Sequence, residues 1–85
     1  MIRVRCLGHI ATSVGRREVV ISEDNLGAED LVERVRGLSK EEEPGFTKYN
    51  TLVMVSDGEA FVPASSTVVV VSGAEVVMIP VSHGG

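Results

Sequence analysis

Apolar and polar residues alternate at the start of the chain, from Ile2 to Cys6. This alternation predicts a β-strand over residues 2–10 whose arginine-bearing face is at least partly exposed. The apolar segment from Glu18 to Ser22 predicts a second strand. Two early strands joined by a short link through Gly15-Arg16-Arg17 indicate an antiparallel hairpin.

The spacing of apolar residues changes to that of a helix at Ala28. Glu29 and Asp30 would lie in the first turn, where the positive end of the helix dipole stabilises negative charge. Gly27 or Asn25 is the expected N-cap, and Gly37 is expected to end the helix. The apolar residues of this segment fall on one stripe of an amphipathic helix: Leu31, Val32, Val35 and Leu38.

A polar segment follows the helix, from Ser39 to Asn50. Its acidic run Glu41-Glu42-Glu43 and the following Pro44-Gly45 predict a solvated loop, with docking to a basic partner as the less favoured interpretation. The rest of the chain predicts further strands, including a hairpin at Asp57-Gly58: 51–55, 60–62, 67–71 and 75–79. Strands grouped around one main helix indicate an α+β fold, with the helix packed on one face of the sheet.

The last predicted strand is apolar on both faces, from Val76 to Ile79. One helix covers only one face of a sheet, and an uncovered apolar face is a candidate protein-binding surface. The alternative is that the loop at 39–50 folds over this face, with Phe46 as a lid. The residues assigned to the predicted binding surface are Val76, Met78, Ile79 and Phe61.

Length and composition exclude several classes of function. The chain has 85 residues, so we expect one domain, and its formal net charge of −4 argues against binding to nucleic acid or to an anionic membrane. Its single cysteine, Cys6, excludes an internal disulfide and fits a small buried apolar side chain better than a catalytic thiol. No apolar run is long enough to span a membrane, and no signal peptide precedes the first strand. We therefore expect a soluble cytoplasmic protein.

The sequence ends in a short segment that contains a proline and finishes on two glycines, IPVSHGG. Pro80 lacks an amide hydrogen and is expected to stop the normal continuation of the last strand. We therefore divide the chain into a domain at 1–80 and a tail at 81–85. Glycine has no side chain, so this tail is thin enough to enter a narrow channel of a partner. The residues predicted to thread that channel are Pro80, Val81, Ser82, His83, Gly84 and Gly85.

The order of elements and the C-terminal motif resemble the ubiquitin-like β-grasp sulfur carriers, most closely the small subunit of molybdopterin synthase (MoaD-like). The resemblance spans the chain and is strongest in SGAEVVMIPVSHGG, residues 72–85. Ala74, Val81 and His83 depart from the residues usual in that family. The resemblance implies a β-grasp fold with a mixed four- to five-stranded sheet, one main helix and a flexible Gly-Gly tail.

The resemblance also implies a chemistry for the tail. An activating enzyme of the ubiquitin-activating type (MoeB-like) would use ATP and Mg²⁺ to adenylate the Gly85 carboxylate, which then becomes a thiocarboxylate. The sulfur would pass to a pterin held by the large catalytic subunit of molybdopterin synthase (MoaE-like). The chain itself would bind no cofactor or metal and bring no catalytic side chain, so whether it counts as an enzyme is left open.

Two rival functions remain at this stage. The first keeps the tail chemistry and changes the acceptor: tRNA thiolation, thiamine synthesis, or isopeptide bonds to target lysines as in ubiquitin-like modifiers. The second is a β-grasp interaction module whose Gly-Gly end has no chemical role. His83 is interpreted as an exposed tail residue or a channel contact rather than a general base, and His9 has no partner at metal-ligand spacing.

Overall fold

In a computed structural model, which describes residues 1–56, 58–65 and 68–81, the chain combines a five-stranded sheet with a two-stranded sheet and α-helices. The strands, in chain order, are β1 (Ile2–Cys6), β2 (Glu18–Ile21), β3 (Asn25–Gly27), β4 (Thr51–Ser56), β5 (Phe61–Pro63), β6 (Val69–Val71) and β7 (Glu75–Pro80). The helices of the described residues are α1 (Gly8–Val14) and α2 (Ala28–Arg36).

The five-stranded sheet has the order β2-β1-β7-β4-β5. Its central strand β7 runs parallel to β1, with Val4 opposite Val76, and antiparallel to β4, with Val53 opposite Met78. The outer strands β2 and β5 each pair antiparallel with their neighbours. The expected mixed sheet and α+β class are confirmed.

The hydrophobic core lies between one face of this sheet and α2. Buried side chains from β1, β2, β4 and β7 belong to the same cluster as Leu31, Val32 and Val35 of the helix. The helix begins after the N-cap Gly27 and ends before Gly37, as the sequence predicts. Leu38 is the exception: it is 46% exposed, because the helix ends before this residue can join the buried stripe.

The first predicted strand is too long. β1 ends at Cys6, and the next residues form α1, whose side chains Ile10, Ser13 and Val14 are buried. Gly15 ends α1 with φ of +81°, a left-handed conformation that glycine adopts without steric cost. β1 and β2 do pair antiparallel, as predicted, but a helix joins them instead of a short turn.

The small second sheet was not predicted. β3 pairs antiparallel with β6, and Leu26 lies opposite Val70. The sequence indicated a break at Asn25–Gly27 because three residues are too few to show a period. Thr67, which we placed in the strand before Ser72, lies outside the described residues, as does Asp57 of the predicted hairpin turn.

Candidate functional site

The direction of the side chains along β7 corrects the predicted binding surface. Val76 and Met78 are 1% and 0% exposed, and they belong to the core cluster that also contains the buried residues of α1 and α2. Successive side chains of a strand point to opposite faces, so Val77 and Ile79 lie on the other side of the sheet. The assignment of Val76 and Met78 to an exposed surface is therefore wrong. An all-apolar strand gives no alternation from which to choose the face, so the sequence could not settle this point.

We define the outer face as the side of the five-stranded sheet opposite α2. Cross-strand register places Leu52 beside Ile79 and Met54 beside Val77 on this face. Met54 also lies opposite Pro63 of β5, which places Phe61, two residues earlier, on the same side. Phe61 is 43% exposed, while Val77 and Ile79 are partly buried. The outer face is therefore apolar across β7, β4 and β5.

Charged residues border this apolar region on the side of β1 and β2. Arg5 lies opposite Val77 on β7 and opposite Glu18 on β2. Arg3 Nε lies 3.4 Å from Glu18 Oε1, and both side chains are about half exposed. An exposed ion pair of this kind contributes little to stability, so these charges are available to orient a partner.

The predicted lid does not cover the outer face. Phe46 is fully buried in the core cluster, and Arg36 Nε of α2 donates a 2.7 Å hydrogen bond to its carbonyl. Both α1 and α2 also contribute buried residues to that cluster, and so lie on the core side of the sheet. The alternative in which loop 39–50 folds over the apolar face through Phe46 is therefore wrong.

Pro80 and Val81 are attached to the sheet. Pro80 is the last residue of β7 and lies opposite Thr51. The Val81 N–H donates a 2.8 Å hydrogen bond to the Asn50 carbonyl, so the ladder continues past the proline. The remaining residues predicted to thread a channel, Ser82, His83, Gly84 and Gly85, lie outside the described residues.

The thiol of Cys6 lies in the core. Burial raises the pKa of the Cys6 thiol, which is 1% exposed, and this fits the predicted apolar role rather than a nucleophilic one. Within residues 1–56, 58–65 and 68–81, no group of three or more His, Cys, Asp or Glu side chains could hold a metal ion. Over the same ranges, no helix has the length and apolarity needed to cross a membrane.

Comparison with known proteins supports the fold. The structure matches SAMP1 from Haloferax volcanii, a ubiquitin-like small archaeal modifier protein, with a TM-score of 0.66. The match covers 99% of this chain and 98% of SAMP1, at 19% sequence identity. The chain has the ubiquitin-like β-grasp fold. No protein-family model matches the sequence, and no curated protein matches it significantly.

The outer face and the end of β7 are the two candidate functional features of this fold. Both features lie on or beside the central strand of the fold, at Val77, Ile79 and Val81. An identity of 19% shows a shared fold and not a shared activity. The function must therefore be argued from the placement of these features.

Proposed function

We propose that the chain is a ubiquitin-like sulfur carrier that acts as the small subunit of molybdopterin synthase. In this proposal, Gly85 carries the C-terminal carboxylate of the mature protein and an ATP- and Mg²⁺-dependent enzyme adenylates it. The acyl adenylate is converted to a thiocarboxylate, whose sulfur passes to a pterin bound by the large subunit.

The observation that carries the proposal is the attachment of Val81, directly after the central strand, to Asn50. β7 ends at Pro80 beside the outer face, and Val81 is hydrogen-bonded to Asn50. Four residues separate this fixed point from the end of Gly85. A segment of that length spans at most about 14 Å when fully extended. A partner docked on the outer face therefore meets the carboxylate close to its own surface.

The chemistry requires little of this chain beyond its carboxylate. A free carboxylate is a poor acyl donor because its leaving group is oxide. Adenylation consumes ATP, releases pyrophosphate and replaces that leaving group with AMP. A hydrosulfide-level nucleophile then attacks the acyl carbon and displaces AMP to give the thiocarboxylate. Gly84 and Gly85 have no Cβ to contact the walls of a narrow active site. The chain contributes by binding and by presenting its end in a suitable position.

The outer face is the proposed docking surface for both the activating enzyme and the large subunit. Phe61 and Ile79 supply apolar area, and Arg5 stands at the charged border beside Val77. Aromatic and aliphatic side chains at the centre of an interface carry most of its binding energy, while border charges guide association. We therefore expect an apolar patch with a neighbouring acidic group on each partner.

Intact mass spectrometry of the protein purified from its native host tests the tail chemistry. We expect a fraction of the protein to carry one sulfur in place of one oxygen, located by fragmentation at Gly85. Deleting Gly84 and Gly85 should abolish this species, whereas Gly45→Ala should leave it unchanged because a methyl group there meets no atom within 4 Å. A native protein in which no copy ever carries sulfur, under conditions where the host makes the cofactor, contradicts the proposal.

A matched pair of surface variants tests the docking surface. Phe61 on the outer face and Val69 on the second sheet are 43% and 57% exposed, so either can be replaced by aspartate without burying a charge. We expect Phe61→Asp to reduce copurification of the large subunit and Val69→Asp to leave it unchanged. Equal effects of the two variants would show that the outer face is not the docking surface.

The structural match to SAMP1 favours one second candidate, a ubiquitin-like modifier. In that case the adenylated Gly85 would be transferred to lysine side chains of other proteins. Proteomic analysis of host extract distinguishes the two. Branched peptides with Gly84-Gly85 on lysine support a modifier, and copurification with a pterin-binding subunit supports the synthase.

A further inference from the structure

Among the described residues, the β4–β7 ladder ends with a hydrogen bond that holds Val81. Pro80 has no amide hydrogen, so the Val81 N–H is the first donor after Ile79. It donates to the Asn50 carbonyl over 2.8 Å. The position of Asn50 therefore sets the position of the Val81 backbone.

The Asn50 side chain fixes the loop that carries this carbonyl. Its Oδ1 accepts a 2.6 Å hydrogen bond from the Thr47 N–H, and its Nδ2 donates a 3.2 Å bond to the Gly45 carbonyl. Between these two contacts, the fully buried Phe46 anchors the loop in the core. Asn50 thus closes a short loop on itself, and the loop cannot shift without moving the partner of Val81.

Gly8 holds the same point from the other side of β7. It has φ of +55°, and a Cβ at Gly8 would lie 3.0 Å from Cγ of Pro80, closer than such atoms normally approach. The Leu7 N–H, immediately before it, donates a 3.2 Å hydrogen bond to the Met78 carbonyl. The proline ring therefore packs directly on glycine backbone, where no side chain can be accommodated without displacement.

We propose that Asn50 and Gly8 are positioning residues that hold the backbone of Pro80 and Val81 and so set the direction of the chain at Val81. The proposal rests on the proposed function, because direction matters only if the carboxylate must enter a partner's active site. A displacement of about 1 Å at a reacting group can cost about a hundredfold in rate, since the group no longer reaches the reactive geometry. The Asn50 side-chain amide is bonded within its own loop and Gly8 has no side chain, so we expect docking on the outer face to require neither of them.

Amide hydrogen exchange, measured by NMR, tests the attachment itself. We expect the Val81 amide to be protected in the wild-type protein and to lose most of that protection in Asn50→Ala. Asn50→Asp keeps the acceptor for the Thr47 N–H and should recover much of it. The matched control Asn25→Ala, at an exposed residue of β3, should leave Val81 protected. An unprotected Val81 in the wild type, or protection unaffected by Asn50→Ala, overturns the proposal.

Steady-state kinetics of adenylation, with the activating enzyme purified from the native host, test the consequence. We expect Asn50→Ala and Gly8→Ala to lower kcat about ten- to a hundredfold while KM for the carrier stays within about twofold. Gly73→Ala is the control for backbone strain, because Gly73 has φ of +91° and a Cβ there meets no atom within 4 Å. A rise in KM without a fall in kcat, or equal effects at Gly8 and Gly73, contradicts a positioning role.

The two measurements separate this inference from the proposed function. If the wild-type carrier is not adenylated at all, the proposed function fails, and a positioning role fails with it even where exchange shows the predicted attachment. If the wild type is adenylated normally but the Asn50 variants lose Val81 protection without losing kcat, the positioning role alone fails.

Discussion

Replacing Met78 and Ile79 separately by alanine tests the assignment of the two faces of β7. These neighbours have side chains of similar size in the same strand, yet Met78 is fully buried in the core and Ile79 is partly buried on the outer face. We expect Met78→Ala to destabilise the fold strongly. Ile79→Ala should destabilise it weakly and should mainly reduce binding to a partner on the outer face.

The magnitudes follow from burial. Truncating a fully buried methionine to alanine costs about 2–5 kcal/mol, from lost transfer free energy and the cavity left behind. A domain of 85 residues has a free energy of unfolding of about 4–13 kcal/mol, so Met78→Ala removes a large share of it. Part of the Ile79 side chain remains exposed to water in the folded protein, so less apolar area is lost on truncation. Ile79→Ala should therefore lower the free energy of unfolding by about 1 kcal/mol.

Far-UV circular dichroism is the appropriate assay. The chain has no tryptophan, and its one tyrosine, Tyr49, is 78% exposed, so intrinsic fluorescence would respond weakly to unfolding. At about 4–8 °C per kcal/mol for a domain of this size, Met78→Ala should lower Tm by about 8 °C or more. Ile79→Ala should lower it by about half that amount or less. An equal or larger loss in Ile79→Ala would refute the assignment of Met78 to the core face.

Three further predictions concern the carboxylate, a loop anchor and the thiol. Gly85→Ala should prevent adenylation or sulfur transfer without changing Tm, as measured by ATP–pyrophosphate exchange. Arg36→Ala should lower the free energy of unfolding in urea by about 1–3 kcal/mol, because it removes the donor to the Phe46 carbonyl. Burial raises the pKa of the Cys6 thiol, so the native protein should react slowly with Ellman's reagent at pH 8 and rapidly in urea.

Each of these predictions has a control and an opposing outcome. Gly45→Ala serves for Gly85→Ala, and normal activation of the latter would contradict the need for a bare end. Arg34→Ala is the control for Arg36→Ala, because it removes only an exposed ion pair with Glu23 and should lower the free energy of unfolding by less. Equal losses in the two variants would contradict the role of Arg36 in holding the Phe46 carbonyl. For Cys6, the free energy of unfolding should fall as pH rises through about 8.5. The thiol has the lower pKa in the unfolded state, so that state loses the thiol proton first and is favoured. Rising stability there would contradict a raised pKa.

Residues with a clear period were predicted correctly from the sequence. The stripe of Leu31, Val32 and Val35 identified α2, and Gly27 and Gly37 marked both of its ends. The α+β class followed from the strands grouped around this helix, because it depends on local patterns that the sequence displays directly. The mixed sheet was expected from the resemblance to the β-grasp sulfur carriers.

Short elements and the choice of face were not predictable in the same way. Ile10, Ser13 and Val14 do show helical spacing, which could have revealed α1, but the preceding alternation suggested a longer strand. In β7 every candidate is apolar, so only the register against β1 and β4 determines which residues face α2. The contact between Gly8 and Pro80 joins distant parts of the sequence and has no local signal.

The central position of β7 also determines at what point in folding Val81 becomes held in place. This strand lies between the β2–β1 pair and the β4–β5 pair, so the two pairs form one sheet only when β7 is in place. Its pairing with β1 joins residues that are far apart in the sequence, so we expect this pairing to form late in folding. A partly folded molecule therefore lacks the support that holds Val81. Under the proposed function, we therefore expect the activating enzyme to act on molecules that have finished folding and not on partly folded ones.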